Sequence, residues 1–370
     1  GSFKAKVDKA WQSTKRMFID NFAAFEDIGR TLRKVDQAKG DSFMAAINAL
    51  RLTRNKAGAM LKEGRINRFG KADKSLSQIF DSKEYGNLLK DKAKYEDFQY
   101  YLYHKHNIDR AREGKNVFGD VSSEESARIA NELEAKYGQE FIDRADDIYS
   151  YLADLEDMRV KSGLSSAEQS AELDKIYKSY VPTYRVGDDI NVSGGYDKLK
   201  DYKQYVATGG NSDIMPLHDQ LTMLTNETVR ESEKNLLMQA VADSQGLTVK
   251  ELKDMGVKNP EKIADKLIYK SDAGNKKEVM YFVDGEAKKV TVTDEMYAGL
   301  QDWTKQDHAA IIDVIDKVTS PLNRGFKALV TDYNPIFMVR NAVRDTQEAF
   351  LYSKDTRYWV KNWPKAVSAV

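Results

Sequence analysis

Residues 97–114, DFQYYLYHKHNIDRAREG, decide the fold class. Phe98, Tyr101, Leu102 and Ile108 fall at the three- and four-residue spacings of a helix. The aromatic residues of this run cover more than half of the helix circumference, which is the pattern of a helix packed among neighbours. Aromatic side chains interleaved with His104, Lys105 and His106 also resemble a single-strand nucleic-acid surface. Core packing is the stronger reading, because a helix apolar on most of its faces must bury them.

The same periodicity extends outward over residues 3 to about 160. Val7, Trp11, Phe18, Phe22 and Phe25 repeat it near the start. Asp41-Ser42 reads as the opening of one helix and Ser122-Ser123-Glu124-Glu125 resembles a capping box. Gly64, Gly114, Gly138 and Gly163 fall where helices should stop. No proline precedes Pro182, so nothing of that kind breaks the array.

The texture changes at about residue 180. Tyr180-Val181-Pro182-Thr183-Tyr184-Arg185 reads as an extended junction, with Tyr180, Pro182 and Arg185 its notable positions. Glycine pairs at Gly194-Gly195 and Gly209-Gly210 read as flexible turns more than as anion cradles. A helix is expected over about 216–244 and a shorter one near 248–254. Lys266–Tyr269, Val279–Val283 and Lys288–Val292 then follow a period of two, with Asp284-Gly285 as a hairpin turn. Helical spacing returns from 294, with Trp303, Ile311, Ile315 and Val318 on one face. The expectation is therefore a mainly α chain, a multi-helix array with a small β-meander inserted within about 180–293. Its three segments are a helical array over 1–179, the junction, helix and meander over 180–293, and C-terminal helices over 294–370. Strands are expected only within the middle segment.

Composition excludes several classes of function. The chain has 370 residues, 41% hydrophobic and 31% charged, with 58 basic and 58 acidic residues in balance. No global field attracts nucleic acid or an anionic membrane, so any DNA binding must be local and weak. Without cysteine there is no disulfide, thiolate metal site or cysteine nucleophile. No run approaches the roughly 18 apolar residues needed to span a bilayer. Gly1-Ser2 reads as a cloning remnant, and WVKNWPKAVSAV stops inside a helical pattern, so a fragment of a longer protein is expected.

Catalytic signatures are sparse: there is no phosphate-binding loop, no GxSxG elbow and no HExxH. His104, His106, His218 and His308 have no metal-ligand spacing and read as exposed or hydrogen-bonded. Asp143, Asp146 and Asp147, or Glu231 and Glu233, are spaced as a solvated helix face. Neither cofactor nor metal is expected, and an enzyme is the less favoured reading.

NPIFMVRNAVRD, residues 334–345, carries the most specific pattern. Asn334 suits an N-cap and Pro335 the first helical position. Arg340 and Arg344 lie one turn apart, as do Asn341 and Asp345, beside an apolar stripe containing Ile336, Val339 and Val343. A polar network that fixes how this helix docks is the first reading; binding of a phosphate or carboxylate by the arginines is the second.

The run N-P-x-F-x-x-R-N-x-x-R-D, with Phe337 at its fourth position, resembles the helical large polyvalent protein-associated domains of phages and conjugative elements. DFQYYLYHKHNIDRAREGKNVFG, SYVPTYR and VDGEAKKVTVTDEMYAGL are similar to other features of those proteins, in the same order. The resemblance implies a non-catalytic scaffold in a large protein of a mobile element, in a virion or the bacterial host cytoplasm. Its partners would be other domains of the parent polypeptide or virion proteins, and DNA weakly. The alternatives are a nucleic-acid-binding module, if basic residues cluster on one face, and an enzyme of unfamiliar type, if a polar cleft separates helices and meander.

Overall fold

Capping side chains and glycine stops cut the chain into helices. The computed structural model describes residues 22–115, 117, 121–184, 214–245, 249–267, 277–301 and 303, and 70% of the described residues are helical. All of them lie in one compact unit that ends at Ile312. The mainly α expectation holds.

Three helices come first: α1 (Ala23–Val35), α2 (Gln37–Arg51) and α3 (Thr53–Lys62). A miniature hairpin of β1 (Arg65–Ile66) and β2 (Ala72–Asp73) follows, then α4 (Leu76–Phe80) and a second hairpin of β3 (Asp81–Ser82) and β4 (Gly86–Asn87). The long helices are α5 (Lys92–Ala111), α6 (Ser123–Tyr137), α7 (Gln139–Lys161) and α9 (Leu217–Ser244), with α8 (Ala167–Ile176) between the last two. After α10 (Val249–Asp254) and α11 (Pro260–Leu267), β5 (Lys277–Val283) pairs antiparallel with β6 (Glu286–Val292). Thr293 Oγ1 accepts from Met296 N at 3.2 Å where a further helix starts at 294.

Gly64, Gly114, Gly138 and Gly163 all follow or cap helix ends at positive φ, as expected of stops. Ser122 caps α6 by accepting from Glu125 N at 3.2 Å. Asp284 and Gly285 both have positive φ, the geometry of a two-residue turn matched to strand twist. Asp41-Ser42, by contrast, opens nothing. α2 starts four residues earlier with Asp36 as its cap, accepting from Lys39 N at 3.0 Å. Gly40 lies inside that helix because a Cβ there would stand 2.3 Å from Arg33 N. Close approach of α1 and α2 is why the glycine is needed.

Two further expectations change. Lys266 and Leu267 end α11 and are not the start of a strand, so the described β5–β6 sheet is a two-stranded hairpin. Pro260 at the first helical position and the turn-spaced Ile263, Ala264 and Leu267 outweigh the β-forming tendency of those last residues. Strands also occur outside 180–293, at β1–β4, where two-residue ladders are too short to show any period.

Two hydrophobic clusters form the core. One gathers Leu76, Phe80, Phe98, Tyr101, Phe141 and Tyr151 with Leu217, Leu221 and Val229 of α9. The other joins Phe25, Leu32, Phe43 and Ile47 to the hairpin's Val279, Val290 and Val292 and to Leu237, Met238 and Val241 of α9. α9, about 42 Å long from its 28 residues, therefore runs through both clusters. Several of its buried polar side chains bond close by, although the Ser232 hydroxyl has no partner among the described residues. Thr222 and Thr225 donate back to His218 O and Leu221 O at 2.8 and 2.7 Å, and Gln220 Nε2 donates to Met215 O at 2.6 Å.

Candidate functional site: the charged junction of α7, α9 and the hairpin

The middle of α9 carries Glu227, Arg230, Glu231, Lys234, Asn235 and Gln239, spaced at three and four residues, and faces the end of α7 and the β5–β6 hairpin. Polar residues at those intervals share a helix face, so the cluster follows directly from the period.

Asn235 forms its centre. Its Nδ2 donates to Ser162 O at 2.7 Å and to Phe282 O at 2.9 Å, while its Oδ1 accepts from Phe282 N at 2.7 Å. One turn on, Gln239 Nε2 donates to the same two carbonyls at 2.9 and 2.6 Å. Gly163 has φ +82°, and a Cβ there would stand 2.6 Å from Gln239 Nε2. Gly285 N donates to Gly163 O at 3.0 Å, joining the two turns backbone to backbone. Helix end, spine and hairpin are locked by one set of polar groups.

Charge surrounds this lock. Glu231 accepts from Arg230 Nε at 3.0 Å and from Lys234 Nζ at 2.9 Å. Burial pushes its carboxyl up, but Lys234 and Arg230 outweigh that and hold it at about 2. Glu227 moves the other way. Burial raises it to about 7, Glu231 adds to the rise, and Arg230 and Arg159 offset only part of it. Arg159 of α7 pairs with Glu156 at 3.1 Å, and Glu233 pairs with Lys56 of α3 at 2.5 Å. Glu231 and Glu233 therefore do not form the solvated face expected of them. Asp143 and Asp147 bond Tyr85 and Lys74 across to other elements, and of that group Asp146 is exposed.

The space between helices and hairpin is filled. A cavity of about 10 Å³, room for one water molecule, is lined by Leu164, Glu231, Lys234, Asn235, Met238, Met280 and Phe282. No family model, curated protein or solved structure matches the chain. Function must therefore be argued from this geometry and from the residues that surround it.

The histidines are placed as follows. His104 and His106 are both buried on α5, and His104 Nδ1 lies 3.1 Å from Ser126 Oγ. Burial lowers them to about 4 and about 3, with Arg110 adding to the fall at His106. His106 is neither exposed nor a surface ligand; it packs edge-on to Tyr180 at 5.4 Å. His218 packs against Phe80 at 5.2 Å, and His308 lies outside the described residues. Among the described residues no three His, Asp or Glu groups are placed to hold a metal ion, and no helix is long and apolar enough to cross a membrane.

At the junction, Tyr180 is partly exposed and Pro182 buried, while Arg185 lies outside the described residues. Asn334, Pro335, Phe337, Arg340, Asn341, Arg344 and Asp345 also lie outside them. The structure thus brings none of the terminal motif into view, and the site it does show was missed from the sequence. Its only sequence signal is the row Glu227, Glu231, Asn235 and Gln239 at exact four-residue steps, which is equally the pattern of a surface face.

One pH prediction arises here. Glu227 has a folded value near 7 against 4.5 unfolded, so its burial is free of cost below about pH 4.5 and destabilises increasingly as pH rises through 7. The shift corresponds to about 3 kcal/mol at most. Glu227→Gln is therefore expected to melt with the parent chain at pH 4 and above it at pH 8. A constant offset across that range would contradict the assignment. Glu231 runs oppositely, its contribution being present above 4.5 and lost as pH falls towards 2.

Proposed function

We propose that this chain is a non-catalytic scaffold module of a large polyvalent protein made by a phage or other mobile element. It would work in a virion or in the bacterial host cytoplasm, holding other domains of the parent polypeptide or virion proteins in place, with DNA as a weak associate at most. One observation carries the reading. The polar residues of α9 that most resemble a reactive cluster are already engaged: Asn235 and Gln239 hold α7 to the hairpin, Glu233 holds α3, and Glu231 is clamped between two cations of its own helix. A carboxyl titrating near neutrality, as Glu227 does, suits a general base. Here its charged neighbours are Arg230, Glu231 and Arg159, and the cavity beside Glu231, which Glu227 does not line, admits one water. Arg340 and Arg344 are assigned the same task of docking their own helix.

Sedimentation of the chain mixed with the remaining segments of its parent polypeptide tests this. A complex that persists at physiological salt is expected, while binding to a short labelled DNA duplex should vanish as salt rises, because few phosphates are neutralised. Tight duplex binding with a shallow salt slope, and no polypeptide complex, would overturn the scaffold reading.

A further inference from the structure

The β1–β2 hairpin is a rigid, exposed projection with an unusual surface. Phe69 and Ile66 are the most exposed large apolar side chains among the described residues, at 72% and 69%. Nothing about the loop beneath them is loose. Asn67 Oδ1 accepts from Phe69 N and Lys71 N at 3.1 and 3.0 Å, and Asn67 N donates to Lys71 O at 2.8 Å. At its foot the buried Arg65 bonds Asp154 at 2.5 Å and Asp73 at 3.0 Å, and Arg68 N donates to Asp154 at 2.8 Å. An exposed aromatic on a preorganised loop loses little further freedom when a partner covers it.

Charge around the tip is one-sided. Lys62, Arg68 and Lys71 are exposed and have no carboxylate within ion-pair distance among the described residues, whereas Lys74 is paired with Asp147. Glu63 is the exposed carboxylate nearby in sequence. The Arg68 guanidinium lies 5.0 Å from the Phe69 ring centroid, which presents arginine and aromatic together. Apolar centre, cationic rim and an arginine–aromatic pair are the composition of a protein-interface hot spot.

We infer that the tip formed by Ile66, Arg68, Phe69, Lys71 and Ala72 docks an acidic polypeptide segment that carries its own apolar side chain between carboxylates. The cationic rim selects the acidic partner, and Phe69 with Ile66 fills its apolar position. A single nucleic-acid strand would use Phe69 and the cations. It would leave the exposed Ile66 and Ala72 without a role. This inference rests on the scaffold reading for its premise that the partner is a polypeptide.

The test is a selection of random displayed peptides on the intact chain, with depletion on the Phe69→Ala chain. Recovered peptides are expected to be rich in Asp and Glu around Leu, Phe or Trp, and to bind the Phe69→Ala or Arg68→Glu chain at least about tenfold more weakly. Both variants should melt with the parent, since their side chains are exposed, so lost binding cannot be lost folding. No recovered peptides, peptides without acidic enrichment, or equal binding to both variants would overturn the inference. So would labelled oligothymidine that binds the chain and is lost with Phe69→Ala. Sedimentation of the Phe69→Ala chain with the parent's other segments separates the two readings. A surviving complex with a failed selection overturns the tip alone, and loss of every complex in the unaltered chain overturns the scaffold reading.

Discussion

Arg144→Ala is expected to lower stability by about 3–5 kcal/mol, the cost of breaking a buried ion pair and stranding its partners. Arg144 is 1% exposed and heads the largest fully buried side chains. Its Nη1 donates to Ile79 O and Phe80 O at 2.5 and 3.2 Å, its Nη2 to Gly86 O at 2.9 Å, and its Nε to Glu140 at 3.0 Å. The guanidinium thereby satisfies carbonyls at the end of α4, which helix geometry leaves without partners, and the Gly86 carbonyl at the start of β4. Alanine would take this donor from three carbonyls in the core around Phe80 and Phe141 and leave Glu140 with Lys94 as its cation. In a unit of this size the melting temperature should fall by roughly 10 °C. Lysine should rescue poorly, because a single ammonium cannot reproduce the planar fork. A melt within two or three degrees of the parent, from either variant, would show that water replaces these bonds.

Arg65→Ala should cost about as much, again roughly 3–5 kcal/mol, but with a local signature. Arg65 ties the β1–β2 hairpin to α7 through Asp154 and Ser150 Oγ, the latter at 3.1 Å, over the Tyr151 ring at 5.0 Å, and bonds Asp73 and the Lys74 carbonyl on its own side. Without it Asp154 stays buried with no ion-pair partner among the described residues, and the hairpin keeps its two-residue ladder, the Arg68 N bond to Asp154 and the Lys74–Asp147 pair at its exposed end. Amide exchange should accelerate over residues 65–73 well before the unit as a whole is affected. Paired Arg65→Met and Asp154→Leu substitutions should cost less than the sum of the single changes, since neither charge is then left alone. Additive costs would mean the two side chains do not act as a pair.

The sequence read best where local geometry alone decides structure. Gly64, Gly114, Gly138 and Gly163 marked helix ends because only glycine takes positive φ cheaply, and Asp284-Gly285 marked the turn for the same reason. The α5 aromatics were legible because one helix cannot expose apolar groups on most of its faces. Lys266–Tyr269 misled because four residues cannot separate a strand from a buried helix end. Asp41-Ser42 misled because both residue types suit an N-cap, yet they lie inside α2, where Gly40 serves the packing of α1 on α2.

The candidate site was illegible for a different reason. Asn235 and Gln239 sit one turn apart on a helix rich in charge, which is how a solvated face is written. Their partners, Ser162 O and Phe282 O, are backbone atoms more than 40 residues away in sequence, and no side-chain pattern announces a carbonyl. Glu231 and Glu233 read as surface groups on the same grounds. Their burial follows from α9 passing through both hydrophobic clusters, a fact of tertiary arrangement that its own residues do not encode.

The proposal that the α9 cluster serves to join elements has a direct test in the melt of Asn235→Leu. Leucine keeps the volume but removes all three bonds to Ser162 and Phe282; Gln239 still donates to both carbonyls, and the buried Phe282 N loses its Asn235 acceptor. The account predicts a loss of about 2–3 kcal/mol and a melting temperature lower by several degrees. Residues kept for a reaction commonly cost stability, so their replacement leaves the melt unchanged or raises it. An Asn235→Leu chain as stable as the parent, or more so, would contradict the account.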